Sequence, residues 1–420
     1  MPLTGTSRRW RIFGVLALMY ILAYFYRISL AVVAKDLSAE LGLTAAQLGT
    51  LSGVFFYVYA FVQIPLGPLL DRFGGRVVIS TFGVLTSAGG FLFSLAPGYA
   101  PALGARVLLG IGTACVLMGT LKIFTHWFSR QEFATVSGYM VAVGNLGNLA
   151  ATAPLALAVA AVGWRHSFLV VAAIQTLVTC LVYGYVRDTP PRQAPHHAVN
   201  GEASAGVGMM AAWRAIFSDR SFLLLGFLSF SWYGAYMVLQ GLWGGPYLME
   251  CVGMDRSGAG RVLLCTSLGF IAGCLVVGKV SDRLFRSHKK TLIAGQTLLL
   301  CLMTLMLGPA ESLPRPLLSA LFFLIGVGVS SGVTIYPFVR EMFPTEIVAT
   351  ALTSLNFFVL LGAATIQQVM GFVIARFPKS GSGYPPAAYH TAFLIPIGAL
   401  LLAILLFLRA RDPGKAHPEY

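Results

Sequence analysis

Charge is what this chain of 420 residues has least of: 10% of its residues are Asp, Glu, Lys or Arg, where a soluble domain carries roughly 25%. With 57% hydrophobic residues and a mean hydropathy of +0.78, the deficit excludes a water-soluble globular domain. Carboxylates are the scarcer sign. All fifteen fall in loops or at the ends of apolar runs, so none sits at mid-membrane depth to hold a cation or relay a proton. The seven histidines also lie near run ends or in loops, which argues against a histidine relay. Six cysteines are scattered without a Cys-x-x-Cys pair, so neither a disulfide frame nor a metal site is expected, nor any cofactor. His-Glu-x-x-His, Gly-x-Ser-x-Gly and a paired mid-membrane Asp are absent, which leaves an enzyme reading without support.

What is present is a succession of apolar runs, each long enough to cross a hydrocarbon core of roughly 30 Å as a helix. Runs broken by charge, Gly and Pro predict twelve spans, at 11–34, 47–70, 76–96, 101–124, 134–160, 166–186, 221–249, 258–280, 290–309, 315–340, 346–374 and 388–409. Residues 187–220 change composition and lose the helical period, so they read as a cytoplasmic linker between residues 1–186 and 221–420. The first run follows Arg8-Arg9-Trp10-Arg11, is too long for a signal-peptide core and reads as a retained helix. The net charge of +14 does not point to nucleic acid, because all of the 29 bases but Arg27 and Arg106 sit at span ends: twenty on one side and seven on the other. That asymmetry puts both termini in the cytoplasm of a protein of the plasma (inner) membrane.

The chain also repeats. Gly67-Pro68-Leu69-Leu70-Asp71-Arg72-Phe73-Gly74-Gly75-Arg76 has a weaker copy, Gly278-Lys279-Val280-Ser281-Asp282-Arg283, with 211 residues between the two aspartates. Gly110-Ile111-Gly112 and Gly326-Val327-Gly328 are 216 apart. Two parallel six-helix halves around a midplane site is one known transporter architecture. An acid at such a cytoplasmic turn accepts from backbone amides at a helix N-terminus of the other half, and its neighbouring Arg pairs with a carboxylate, so Asp71, Arg72, Asp282 and Arg283 are assigned to gating. The alternative is an ordinary topogenic turn.

These residues resemble the major facilitator superfamily. Gly67, Leu69, Asp71, Arg72 and Gly74 match its loop signature Gly-x-Leu-x-Asp-Arg-x-Gly, and Arg106-x-x-x-Gly110-x-Gly112 and Gly163-Trp164-Arg165 resemble weaker family patterns. The resemblance implies an all-α membrane protein of twelve transmembrane helices in two pseudo-symmetric six-helix bundles, with helices 1, 4, 7 and 10 lining a cavity. A monomer is expected.

Arg27 lies about 16 residues into the first span, roughly 24 Å from its cytoplasmic end. A guanidinium there faces a wet cavity or a partner, or else snorkels to the outer surface. Tyr24 and Tyr26 beside it favour the cavity, where they can stack on or hydrogen-bond a ligand. Arg106 in the fourth span either packs between helices or joins Arg27 as a two-cation clamp for a carboxylate or phosphate. In the seventh span Tyr233, Tyr236 and Gln240 share one helix face among glycines that let it bend. Tyr336 and Asn356 are further polar candidates. With no mid-membrane carboxylate to match Arg27, the expected partner is a small anionic substrate: a carboxylate, amino acid or phosphate ester. The chain is similar to the anion:cation symporter and organic-phosphate branches of the superfamily. In proton-coupled members acids commonly stand at the positions held here by Tyr26 and Thr113, so exchange against a counter-anion or facilitated flow is favoured over proton coupling. Proton-coupled multidrug or metabolite efflux is the competing reading. The antiporter pattern Gly-Pro-x-x-Gly-Gly is missing, however, since the stretch reads Gly144-Asn145-Leu146-Gly147-Asn148.

Overall fold

The computed structural model describes residues 3–190, 209–379 and 383–412, almost wholly helical. It divides into two compact units, one of residues 1–43 and 54–199 and one of residues 44–53 and 200–420.

In the first unit, α1 (Leu3–Ile28) passes into α2 (Leu30–Leu41) through Ser29, and the apolar face continues across the join as buried Leu30, Val33 and Ala34. The second and third predicted spans form one segment, α3 (Ala45–Leu95), turned at Gly74, whose φ of 79° only glycine adopts readily. The fourth span is α4 (Tyr99–Ala114) and α5 (Val116–Trp127). The fifth and sixth are α6 (Arg130–Ala150) and α7 (Ala153–Tyr185), and α7 breaks at Gly163 with φ 80°. Ser129 and Glu132 close a capping box at the start of α6.

The second unit begins with α8 (Met209–Ser218) and α9 (Arg220–Met237). A π-helical turn, Val238–Trp243, leads into α10 (Gly244–Glu250) and then α11 (Arg256–Lys279). A second π-helical turn, Val280–Phe285, precedes α12 (His288–Thr304). The rest is α13 (Arg315–Ser330), α14 (Ile335–Met342), α15 (Thr345–Ile374) and α16 (Pro386–Phe407).

Among the described residues, eleven helical stretches are long and apolar enough to cross a membrane. One of them, Val136–Tyr185, is 50 residues long and holds the Gly163 break. At 1.5 Å per residue it is about 75 Å long, twice what a bilayer core needs. Counted as two crossings it restores the expected twelve. The structure also differs in the predicted linker. Its first part, 191–208, lies outside the described residues, but 209–218 is helical. Trp213, Ile216 and Phe217 recur at helical spacing there, and Phe217 lies 5.9 Å from the Phe222 ring and 6.3 Å from that of Phe358.

The repeat read from the glycines is visible in each unit. A Cβ on Gly110 of α4 would lie 2.7 Å from the Phe55 carbonyl oxygen, and one on Gly326 of α13 2.1 Å from that of Thr266. Both glycines therefore mark a helix crossing too close for a side chain. A second pair behaves alike: Gly147 meets the Ile21 carbonyl oxygen at 2.1 Å and Gly362 meets that of Phe230 at 2.0 Å.

Residues 44–53, the first turns of α3, pack in the second unit. Ser52 Oγ donates to Gln367 Oε1 at 2.7 Å, and Gln368 Nε2 to Thr50 Oγ1 at 3.3 Å. The Ala45 amide donates to the Tyr384 hydroxyl at 3.1 Å.

Candidate functional site

Arg27 occupies the last turn of α1 and is only 9% exposed. Its guanidinium carbon lies 4.5 Å from the centre of the Tyr24 ring and 5.2 Å from that of Tyr59 on α3. The sequence explains the first contact: residues three and four apart share a helix face, so Tyr20, Tyr24 and Arg27 form one stripe along α1. Tyr20 donates its hydroxyl to that of Tyr24 at 3.2 Å, and their rings meet edge to face at 4.8 Å. Tyrosine faces attract a cation by about 0.5–2 kcal/mol each. Tyr20 and Tyr59 were not among the sequence candidates. The four-residue step from Tyr24 signals Tyr20, whereas nothing local distinguishes Tyr59 from the other aromatics of its helix.

The Tyr26 side chain is buried, packing beside Phe25 and Phe168 at 5.8 and 6.5 Å. A Cβ on Gly90 would stand 2.7 Å from its hydroxyl. What Tyr26 offers the neighbouring helix is its carbonyl, which accepts from Arg106 Nη1 at 2.9 Å. Carbonyls of a last helical turn lack intrahelical donors, and a cation there also meets the negative end of the dipole. Arg106 thus serves the end of α1, 1% exposed and with its guanidinium 4.6 Å from the Phe55 ring centre. Phe55 and Tyr59, one turn apart on α3, have ring centres separated by 6.2 Å. The two arginines therefore rest on successive rings of one aromatic ladder.

In the second unit the rings of Tyr233 and Tyr236 lie 5.9 Å apart, and Tyr236 stacks on Phe270 of α11 at 5.7 Å with 16° between planes. Gln240, in the π-helical turn, donates Nε2 to Ser267 Oγ at 2.9 Å and is 1% exposed. Tyr336 is 37% exposed on α14, and Asn356 is half-buried on α15.

The side chains of Asp71 and Asp282 lie outside the described residues; Arg72 and Arg283 are exposed. Around the first turn the structure reveals a partner that the sequence assigned to the linker. Asp188 Oδ1 accepts from the Arg76 amide at 2.8 Å, and a Cβ on Gly74 would stand 2.7 Å from Asp188 Oδ2. Lys122 donates Nζ to the Leu70 carbonyl at 2.8 Å. The second turn has its own version: Ser287, the N-cap of α12, donates Oγ to Asp412 Oδ2 at 2.7 Å. In each unit, then, an acid beyond the last helix braces the turn. Among the described residues no cluster of three or more His, Cys, Asp or Glu side chains is placed to hold a metal.

Among the described residues, the carboxylates that fall within the eleven apolar stretches are Glu250 and Glu341, each in the last two residues of its stretch.

The model of the Major Facilitator Superfamily matches residues 16–364 and, overlapping, 233–419. The chain belongs to the Major Facilitator Superfamily. Among curated relatives, a probable sulfoacetate transporter of Cupriavidus necator is 30% identical over 290 residues, covering 66% of each chain. The D-galactonate transporter of Escherichia coli O6:H1 is 25% identical over 429 residues, covering 95% of this chain and 96% of that one. The membrane sensor protein UhpC of Salmonella typhimurium is 26% identical over 445 residues, covering 98% and 94%. The match thus spans just under two thirds of the first relative and nearly all of the other two. Among solved structures, an inward-facing bacterial homologue of the human lysosomal transporter Spinster superposes with a TM-score of 0.79 at 18% identity, over 96% of this chain and 97% of that one. A D-xylose–proton symporter gives 0.77 at 16% identity over 98% and 99%, a likeness that establishes the fold. As a superfamily member with this succession of apolar helices, the protein is integral to the membrane.

Proposed function

We propose that this protein carries small organic anions across the membrane by alternating access and anchors the substrate carboxylate on Arg27. The observation that carries the reading is a buried guanidinium with two tyrosine rings against it, where the apolar stretches, among the described residues, contain no interior carboxylate. A negatively charged substrate arriving there gains charge-assisted hydrogen bonds in a site of low dielectric. The names of the relatives agree: sulfoacetate and D-galactonate are compounds that each carry a carboxylate, as are the glucarate and tartrate of further relatives. Tyr24, Tyr59 and Arg106 support the anchor, and within the second unit Tyr233, Tyr236 and Gln240 are the substrate-binding candidates. Asp71, Arg72, Asp282 and Arg283 serve the gate. Tyr26 and Thr113 carry no titratable acid, so counter-anion exchange or facilitated flow is the coupling mode favoured here. Both termini lie in the cytoplasm and the protein works as a monomer in the inner membrane, without enzymatic chemistry.

The test is thermal stabilisation of purified protein by a panel of sulfoacetate, aldonates, tartrate, amino acids and phosphate esters, followed by uptake into proteoliposomes with and without a pH gradient. The reading expects stabilisation by at least one anion and uptake indifferent to the gradient. Stabilisation by organic cations alone would overturn it.

A further inference from the structure

The second unit holds an apolar groove that the transport reading does not use. It lies between α11, α12 and α13, has a volume of about 220 Å³ and is walled by Val276, Val277, Leu298 and Val327. Glycines make it. Gly273 and Gly295 bring the helices so close that a Cβ on either would stand 2.2 or 2.1 Å from the hydroxyl of Ser330 or Ser331. Those two hydroxyls are turned back to their own helix, donating to the Val327 and Gly328 carbonyls at 2.7 Å, so the floor offers little polarity. The groove is smaller than the roughly 300–1,000 Å³ of a drug-sized cleft and lacks convergent polar groups. Its rim faces outward on the membrane-crossing helices: Leu275 is 76% and Val276 54% exposed.

One end is different in character. Val280 and Phe285, which bound the π-helical turn, close the groove at the α11–α12 connection. That connection exposes Lys279, Arg283, Arg286 and Lys290 within twelve residues. Lys289 is tied down, donating to the carbonyls of Leu408 and Ala410 at 2.8 and 2.6 Å, and His288 Nε2 lies 3.2 Å from Glu341 Oε1. The π-turn and a left-handed Arg286, at φ 47°, shape this connection, whose cations Lys279 and Lys290 are next in sequence to the groove residues Val280 and Thr291.

We propose that this groove is a site for an anionic phospholipid, with one acyl chain between α11, α12 and α13 and the phosphate among the cations of the turn. The two halves of such a ligand match the two halves of the site: an apolar slot open to hydrocarbon, continuous with a basic rim at the depth of a headgroup. Scattered cations at helix ends attract anionic lipid weakly anywhere on the cytoplasmic face. What distinguishes this place is the slot beneath them.

Native mass spectrometry of the full chain, loaded with phosphatidylglycerol or phosphatidylcholine of identical acyl chains, tests the site. The wild type is expected to retain phosphatidylglycerol at least tenfold over phosphatidylcholine. Replacing Lys279→Gln, Arg283→Gln and Lys290→Gln together reduces that preference to within about twofold, at roughly fivefold for each cation near the surface. Ala294→Phe, which fills the groove from its exposed rim, lowers retention of both lipids about fivefold while leaving the cations in place. The control Arg214→Gln with Arg220→Gln removes two exposed cations from α8 and α9, against three in the test variant, and leaves the preference intact. Equal retention of the two lipids by the wild type, an unchanged preference in the triple variant, or equal loss in the control would each overturn the proposal. Should the triple variant fail to fold, Ala294→Phe decides alone: unaltered retention contradicts the site.

Discussion

Arg27 and Tyr59 meet across α1 and α3 with 5.2 Å between the guanidinium carbon and the ring centre, and Tyr24 closes the other side at 4.5 Å. Ring faces engage a guanidinium through its π face, whereas a carboxylate meets one in the plane of its N–H groups. The neighbouring arginine is employed differently, and this difference separates two effects that substitution would otherwise confuse.

Arg106 donates to the Tyr26 carbonyl and is buried against Phe55. Arg106→Gln therefore removes a charged hydrogen bond at the end of α1, worth about 1.5–3 kcal/mol. The melting temperature is expected to fall by several degrees, and substrate affinity less steeply than for any Arg27 variant. Paired melting curves and ligand titrations read both quantities. An unchanged melting temperature with affinity abolished would place Arg106 on the substrate instead.

The Gly74–Asp188 contact predicts a coupled pair. Gly74→Ala places a side chain at φ 79°, ψ 165°, a cost of about 1–3 kcal/mol, and also drives its Cβ into the Asp188 carboxylate. Made in an Asp188→Ala background, the same substitution should cost less, since the backbone penalty remains and the collision does not. Denaturation of the four proteins of this cycle measures the coupling; strict additivity would refute the contact.

Glu40 lies outside the membrane stretches; Arg165, beside the Gly163 break, hydrogen-bonds its Oε1 at 2.6 Å and Trp164 donates to its Oε2 at 2.5 Å, together holding the carboxyl below the usual carboxylate range. The pair is largely exposed and weakened by salt. A depressed folded value means the contribution is fully present above the unfolded value near ~4.3 and disappears as pH falls through the folded one. Glu40→Gln should lower the melting temperature at pH 7 and converge with the wild type in acid. A gap that persists below pH 3 would contradict the ionic origin.

Alternating access makes a demand on residues 44–53, which pack with α15 while the rest of α3 folds with the first unit. If the proposed cycle separates them, Ser52→Ala removes a buried hydrogen bond of about 1 kcal/mol from one state only. Maleimide labelling of Gln368→Cys should then rise severalfold, by roughly the fivefold that 1 kcal/mol implies. Labelling that is indifferent to Ser52 would show that this contact persists throughout.

Much of this architecture was legible in residues alone. The paired glycines Gly110 and Gly326 announced a repeat because a missing side chain is a feature of sequence, and each indeed marks an equivalent helix crossing. Gly74 and Gly163 each turn the chain inside a continuous run of helix, so the predicted pairs of spans at 47–96 and 134–186 each form one segment. Trp213, Ile216 and Phe217 were overlooked as a helix because a Gly/Ala/Ser-rich segment precedes them. At the site, the stripe Tyr24–Arg27 followed from helical spacing, whereas Tyr59 comes from another helix and carries no local signal. Asp188 falls in the predicted linker; its partner, the Arg76 amide, and the partner of Lys122, the Leu70 carbonyl, are backbone groups that sequence does not display.

The central claim is the anchoring of an anion by Arg27, and ligand binding to two variants tests it most directly. With whichever anion stabilises the wild type, Arg27→Ala is expected to lose the thermal shift entirely and Arg27→Lys to keep a weakened one, since a point charge replaces a planar fork. Both proteins should otherwise melt close to the wild type. Retention of the full shift by Arg27→Ala would contradict the account.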